Sequence, residues 1–448
     1  MDYHDALRFL DARLDREASA GALPVAGHTG ELSLDTIASV MHVLGDPQHA
    51  YRMVHITGTN GKGSVARMVS RLLVEHGLSV GTYTSPHLQR VNERLAWNGV
   101  PISDDDFAEL MADVELLLPL AGVEPSWFEL LTAAALSWFA HIAVDVAVVE
   151  VGMLGRYDAT NVVDADVAVV TNIGGDHTDF SPGWRHAVAS EKAGIIKPDS
   201  FLVLGEDDPE LRSVFDDELR AQGAVAPDGT LRRWVRGDDF EVLADRGAVG
   251  GHLVDLRLPG HDVADVFVPV LGAHQAENAV VAVAAVEALF ARALEFELIE
   301  AAFADLRLPG RFEVVNRDPL TVLDGAHNPP GLEALAEAID DEFGERSRRI
   351  FVVGQLDGRD PRAAFEALRI GRDDVVVACT APSPRGVPAA TVAAMAGELG
   401  VRAITVDDVG AALARAQSEA DEADDIVVVT GSLYVVGAAR DALRLPVI

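Results

Sequence analysis

The sequence predicts an α/β protein in two parts. A large parallel sheet with helices on both faces, carrying a small antiparallel sheet, is followed by a Rossmann-like C-terminal α/β domain. Three observations predict this. Apolar runs of strand length alternate with amphipathic helical patterns from about 52 to 205, as in a parallel sheet covered by helices. Between about 230 and 270 the helical pattern gives way to short extended segments. After Pro309-Gly310 a second β/α series begins.

In chain order, MDYHDALRFLDARLD reads as a charged amphipathic helix rather than a signal peptide. Strands are expected at RMVHI (52–56), SVGTYT (79–84), DVAVVEV (145–151), DVAVVTNI (166–173) and SFLVLG (200–205). Helices are expected at 62–77, 103–121, 126–142 and 185–197. Ser103 before three aspartates is a helix start, and Asn98-Gly99 a hairpin turn. RRWVRG, FEVLADRG, GHLVDLRLPG and DVFVPVLG read together as the antiparallel insert, and an Ala- and Val-rich helix spans 274–294. LTVLD, RRIFVVG, DDVVVAC, RAITVDD and DDIVVVTG then supply the second series. The expected domains are 1–308 and 309–448. The second has no G-x-G-x-x-G after a strand, so it is not read as a dinucleotide site.

Composition narrows the function. Asp and Glu total 71 against 36 Lys and Arg, giving a net charge of −35 spread along the chain. An acidic surface of this kind suits a protein kept soluble at high salt, a halophile-like composition. It argues against nucleic-acid binding, which needs a basic face. No apolar run approaches the ~20 residues of a membrane helix. The single cysteine, Cys379, excludes an internal disulfide and a cysteine zinc site. A cytoplasmic protein is expected. Only three lysines occur, Lys62, Lys192 and Lys197; retained in such a chain, Lys62 and Lys192 point to a job that arginine cannot do, while Lys197 is read as structural.

The chemistry centres on HITGTNGKGSVARMV (55–69). It lies between a strand and a helix, as a phosphate-binding loop does, but Gly63 separates Lys62 from Ser64 where the usual pattern has Ser or Thr directly after Lys. Backbone N–H groups of Gly58, Thr59, Asn60, Gly61 and Gly63 would cradle phosphate oxygens at a helix N-terminus. Lys62 adds a charge for the β/γ-phosphates, and Ser64 an oxygen for magnesium. Two further strands end in related phrases, DVAVVEVG and DVAVVTNIGGDH. They place Glu150 and the Asp176-His177 pair at the sheet edge where ligands of open α/β sheets bind. Glu150 after a buried apolar run is either a magnesium ligand or a costly half-buried acid. Ser85, in SPHL, reaches the same edge.

GTNGKGS, TSPHL, EVGMLGRYDATN, DHTD, SEKAGIIK, HQAEN, PGRFEVV and LDGAHNP occur in this order. Together they resemble the folylpolyglutamate synthase/dihydrofolate synthase family, a branch of the Mur ligase superfamily, over roughly residues 50 to 440. The glycine between Lys and Ser is that family's own form of the loop. The resemblance implies a monomeric enzyme that joins L-glutamate to a folate or dihydropteroate carboxylate, using ATP and an acyl phosphate. It implies two magnesium sites with Ser85, Glu150, His177 and Ser64 as ligands, and admits a potassium ion. Lys192 matches the family's carbamylated lysine, formed with CO₂. Asn278, Arg311 and Asp324 match ATP contacts. Trp127, Phe128 and Glu129, with Tyr157, Asp158 and Ala159, match pterin-binding segments. Lys62, Glu150, His177 and Lys192 would carry the catalysis.

Two positions depart from the family pattern. Leu154-Gly155 stands where Gly-Gly is usual, and Gly175 where a larger apolar residue is usual. Leu154 is expected to fill the space that Gly175 vacates. Another Mur-type amide ligase, or a nucleotide-binding regulator without amide chemistry, are the competing readings; GTNGKGS and SPHL oppose the first, Lys192 and His177 the second.

Overall fold

The computed structural model describes residues 1–14, 25–27, 32–176, 178–344, 348–420 and 425–447. His177 therefore lies outside the described residues.

The first sheet has eight strands: β1 Arg52–Thr57, β2 Val80–Tyr83, β3 Leu95–Trp97, β4 Val100–Pro101, β5 Val146–Glu150, β6 Val167–Val170, β7 Phe201–Leu204 and β8 Arg233–Val235, in the order β4-β3-β2-β5-β1-β6-β7-β8. β3 pairs antiparallel with both β2 and β4, turning into β4 at Asn98-Gly99; the other pairs are parallel. Every residue of β5 is buried, because helices cover both faces and leave no polar side. Helices Lys62–Glu75 and His274–Phe290 pack on one face through Val65, Leu72, Val280 and Val283. Helix Trp127–His141 covers the other through Leu131 and Ala135. The chain leaves β1 toward β2 on one side and meets β6 on the other. β1 is thus a switch point, and its C-terminal end opens a crevice.

The insert is a three-stranded antiparallel sheet, β9 Glu241–Ala248, β10 Gly251–Leu258 and β11 His261–Val268. Val254, Leu256 and Val266 turn toward helix His274–Phe290. The RRWVRG segment does not belong to it. Arg233–Val235 pairs parallel with β7 at the edge of the large sheet; so short a run carries no periodicity to reveal its partner.

The second series forms a six-stranded sheet of β12 Glu313–Arg317, β13 Leu320–Leu323, β14 Arg349–Val353, β15 Val375–Ala378, β16 Arg402–Thr405 and β17 Ile426–Thr430, in the order β12-β13-β17-β14-β15-β16. β12 is the antiparallel member. Leu308 belongs to the core of the large sheet and Phe312 to that of the second. Pro309, Gly310 and Arg311 carry the chain across. Among the described residues no helix is long and apolar enough to span a membrane.

Candidate functional site

β1 delivers the glycine-rich turn to the crevice, and the turn needs its glycines. Gly58 has φ +148°, and a Cβ there would overlap the Thr171 hydroxyl. Gly61, at φ +82°, leads into helix Lys62–Glu75, and a Cβ would overlap the Asn278 amide oxygen. The turn is fastened to the next strand connection. Thr59 N–H donates to Asn172 O and Asn60 N–H to Asn172 Oδ1, both at 3.0 Å, while Thr171 Oγ1 donates to Asn60 O at 2.5 Å. The amides of Thr59 and Asn60 are therefore already committed. Val65 N–H closes the first helical bond, to Gly61 O at 2.9 Å. That leaves Lys62, Gly63 and Ser64 N–H at the helix N-terminus, where an anion is favoured.

Gly63 differs from the other two. A Cβ there would sit 3.4 Å from Glu150 Oε2. The extra residue of the loop thus faces the strand-end carboxylate, and a larger side chain would crowd it. Glu150 is 4% exposed. Its Oε2 accepts Ser85 N–H at 2.9 Å. Burial raises its pKa, and Lys62, the Ser85 N–H, Arg311 and Arg67 pull it back. Ser64, Ser85 and Glu150 line one recess. Among the described residues no group of three or more His, Cys, Asp or Glu is arranged for a metal. Glu93 also lines the recess, but its carboxylate already accepts three backbone N–H groups; the Glu150 carboxylate with the Ser64 and Ser85 hydroxyls suits a hard ion that completes its shell with phosphate and water.

Lys192 lies beneath the loop, 4% exposed, with Nζ 2.8 Å from Gly58 O. Lys62 Nζ donates to the same carbonyl at 3.1 Å and to Thr59 O at 3.2 Å. Burial, then the charge of Lys62, holds the Lys192 pKa well below the usual lysine range, against the pull of Asp176 and Asp158. A neutral amine is the form that reacts with CO₂.

The opposite wall comes from beyond residue 309. Arg311, Asp324, Gly325, Ala326 and His327 line the crevice that the loop, Asn278 and Gln275 line from the other side. Asp324 is fixed by Phe312 N–H at 2.8 Å and Ala326 N–H at 2.7 Å. Asn328 and Asn60 exchange side-chain hydrogen bonds of 3.0 and 3.2 Å, and Asn328 also donates to Asp176 at 3.2 Å. Arg359 donates to His327 O, and His327 Nε2 lies 3.7 Å from Asp176 Oδ2. Sequence reading missed Arg67, Asn328 and Arg359. Only Asn328, inside LDGAHNP, carried a signal that could have found it; the arginines are ordinary helix and loop residues until the chain folds.

Matches to known proteins agree with this architecture. A Mur ligase middle domain matches residues 129–286 and a Mur ligase glutamate ligase domain residues 310–433. Dihydrofolate synthase/folylpolyglutamate synthase of Mycobacterium tuberculosis is 39% identical over 447 residues, 91% of this chain and 89% of that protein. The chain belongs to the folylpolyglutamate synthase/dihydrofolate synthase family. It is an ATP-dependent ligase of the folate glutamate ligase class. The M. tuberculosis folylpolyglutamate synthase complexed with ADP and AMPPCP superposes with a TM-score of 0.88 and 35% identity, covering 100% of both chains. The bifunctional Yersinia pestis enzyme, complexed with AMPPNP and a Mn ion, superposes at 0.82 with 28% identity over 99% of this chain and 98% of that one.

The segments matched to the family's pterin contacts sit beside the crevice. Gly152 lines it, and a Cβ on Gly152 would press on Phe128 Cζ at 2.6 Å and Asp158 Oδ2 at 2.9 Å. Asp158 is buried and accepts from Thr160 and from Met153 N–H. Ala159 is buried, and Tyr157 is 38% exposed. Trp127 and Glu129 have structural work. The Trp127 ring lies under the Arg94 guanidinium at 4.6 Å and its Nε1 donates to Asp11 at 3.2 Å. Glu129 closes a capping box with Ser126. The expected exchange between Leu154 and Gly175 does not occur. Phe180 occupies the space before Gly175, where a Cβ would meet its ring at 2.7 Å. Leu154 is buried with Val151 and Ile173, at φ +57°. A left-handed backbone at this position accounts for the family's glycine, and a leucine there is strained by ~1–2 kcal/mol.

Proposed function

We propose that this chain forms the amide between L-glutamate and the carboxylate of dihydropteroate or a reduced folate, through an acyl phosphate, in the cytoplasm. One observation carries the reading. Lys62, Ser64, Ser85 and Glu150 from one sheet meet Arg311 and Asp324 from the other in a single crevice. The units 1–308 and 309–448 would share one active site.

The acid's carboxylate oxygen attacks the γ-phosphorus of ATP, and the bond to the β-phosphate oxygen breaks. The helix N-terminus at Lys62–Ser64 and the Lys62 ammonium offset the charge on the transferred group. The amine of glutamate then attacks the acyl carbon, phosphate leaves, and the amine proton passes to solvent. Ser64, Ser85 and Glu150, with His177, would hold magnesium. When bound, it neutralises phosphate charge. Addition of CO₂ to the neutral Lys192 amine releases one proton and leaves an N–H able to keep its bond to Gly58 O. The resulting anion would face Lys62 instead of opposing it. Arg359 gives the far end of the crevice a positive charge suited to a dicarboxylate amine; burial lowers the His327 pKa and leaves that ring neutral. Asp158 and Phe128, behind Gly152, would fix the pterin side.

The test is ADP release from Mg-ATP with dihydropteroate, a reduced folate or neither, each with and without glutamate. ADP formed only when an acid and glutamate are both present supports the reading. Turnover with UDP-linked muramyl acids instead would assign another Mur-type ligase, and nucleotide binding without turnover a regulator.

A further inference from the structure

The loop that follows β2 carries Ser85, and it is held from two sides. From its own side, the Glu93 carboxylate accepts the N–H groups of Leu88, Gln89 and Arg90 at 2.8, 2.9 and 2.8 Å. From the other side it is gripped by the helix Leu433–Ala442 and the residues after it. Leu88 packs against the core of the second sheet. Gly437 meets the Leu88 carbonyl so closely that a Cβ there would overlap it. Gln89 Oε1 accepts from Arg440 Nε at 3.0 Å, and Gln89 Nε2 donates to Asp441 at 2.8 Å and to Leu445 O at 3.3 Å.

Arg440 is fully buried. Besides Gln89 it binds the Glu313 carboxylate and donates to Pro446 O at 2.6 Å. Glu313 in turn accepts Gly310 N–H at 2.8 Å, one residue before Arg311. One guanidinium therefore ties together the Ser85 loop and the Arg311 turn. Both border the recess around Glu150, and the Ser85 N–H holds that carboxylate directly.

We propose that Arg440 is a positioning residue: through Gln89 and Glu313 it sets the Ser85 loop and the Arg311 turn together, so that the metal–phosphate side of the crevice is held by the helix Leu433–Ala442. The planar fork of arginine matters, because three acceptors at different angles share it, and lysine cannot reproduce that. The inference rests on the functional reading above for the identity of the recess.

The test uses the full chain with Gln89→Ala, Gly437→Ala and Arg440→Lys. Mn²⁺ binding in the presence of AMPPCP is followed by EPR, ADP binding by calorimetry in metal-free buffer, and glutamate-dependent kcat and melting temperature on the same samples. Outer contacts that orient metal ligands are typically worth 10–100-fold in affinity or activity. Each variant should therefore lose about tenfold in Mn²⁺ affinity and in kcat, and Gln89→Ala and Gly437→Ala should keep metal-free ADP affinity, since they touch neither the glycine-rich turn nor the Arg311 turn. If Arg440→Lys does not fold, Gln89→Ala and Gly437→Ala still decide. Unchanged Mn²⁺ affinity and kcat in those two would overturn the proposal. So would a lower melting temperature with normal Mn²⁺ affinity and turnover per folded molecule. The Mn²⁺ comparison needs no turnover; a wild-type chain that binds Mn²⁺ yet ligates nothing would refute the functional reading and leave this comparison readable.

Discussion

Replacing Glu150 by Gln removes one charge and almost nothing else. The side chain keeps its length, and its amide oxygen can still accept the Ser85 N–H at about the present 2.9 Å. The carboxylate, however, is the anion on which Lys62, Arg311 and Arg67 act. Without it three cations border the recess with less to balance them, and the one carboxylate placed for magnesium among Ser64 and Ser85 is gone. A preorganised electrostatic group of this kind is commonly worth ~100-fold in rate or more, about 2.7 kcal/mol. In the proposed site the helix N-terminus and Lys62 would hold the nucleotide, so ADP affinity in metal-free buffer should hold or improve slightly. Stability should change by less than the ~1–3 kcal/mol of a broken buried hydrogen bond, because the bond to Ser85 survives. Single-turnover ADP formation, with a melting curve on the same sample, measures both. A Glu150→Gln enzyme that melts lower yet turns over at the wild-type rate would make Glu150 a structural acid and remove the basis for assigning Ser85 as a metal ligand.

Three further outcomes are expected. Lys192→Arg keeps a cation but cannot form a carbamate; it should lose activity, Lys192→Ala should recover part of it with added short-chain carboxylates, and an unmodified Lys192 in active enzyme, seen by intact mass, would contradict the assignment. His55 is wholly buried beside Thr160 Oγ1, and burial, helped by Lys197, lowers its pKa from 6.5 to about 3. The unfolded chain binds a proton below about 6.5 that the folded chain refuses, so stability falls with falling pH by about 1.4 kcal/mol per unit until about pH 3. Urea midpoints from pH 7.5 to 5 should show a shallower slope in His55→Asn, and equal slopes would refute the linkage. At a net charge of −35, self-repulsion and repulsion of anionic substrates are strongest when salt is low. Molar salt cuts the Debye length to ~3 Å, so melting temperature and kcat/KM should both rise from 0.1 M to about 2 M KCl, and a flat response would dismiss the halophilic reading.

The sheets were largely legible in the sequence because buried parallel strands are continuous apolar runs, as in AVVEV and AVVTN. β8 was not, since three residues at a sheet edge carry no period, and its neighbours drew it into the insert. The crevice was legible on the side built from contiguous motifs. Gly58, Gly61, Lys62 and Glu150 stand at strand and helix ends that local pattern alone can place. Arg359 reaches the same crevice only because β14 lies beside β17, a pairing no local pattern encodes. Trp127 and Glu129, matched to pterin segments by resemblance, also hold the local structure, through a stacked arginine and a helix cap that the sequence does not announce. Phe180 shows how a departure in one motif can be answered by a residue outside it.

The grip of Arg440 on Gln89 also orders events during synthesis. The nucleotide loop leaves the ribosome early, but the partner that fixes the Ser85 loop is made some 350 residues later than Gln89. At ~5–20 residues per second that is a delay of roughly 20–70 s. The large sheet is complete only near residue 308, so it can fold for roughly 7–26 s of that interval while the Ser85 loop still lacks its anchor.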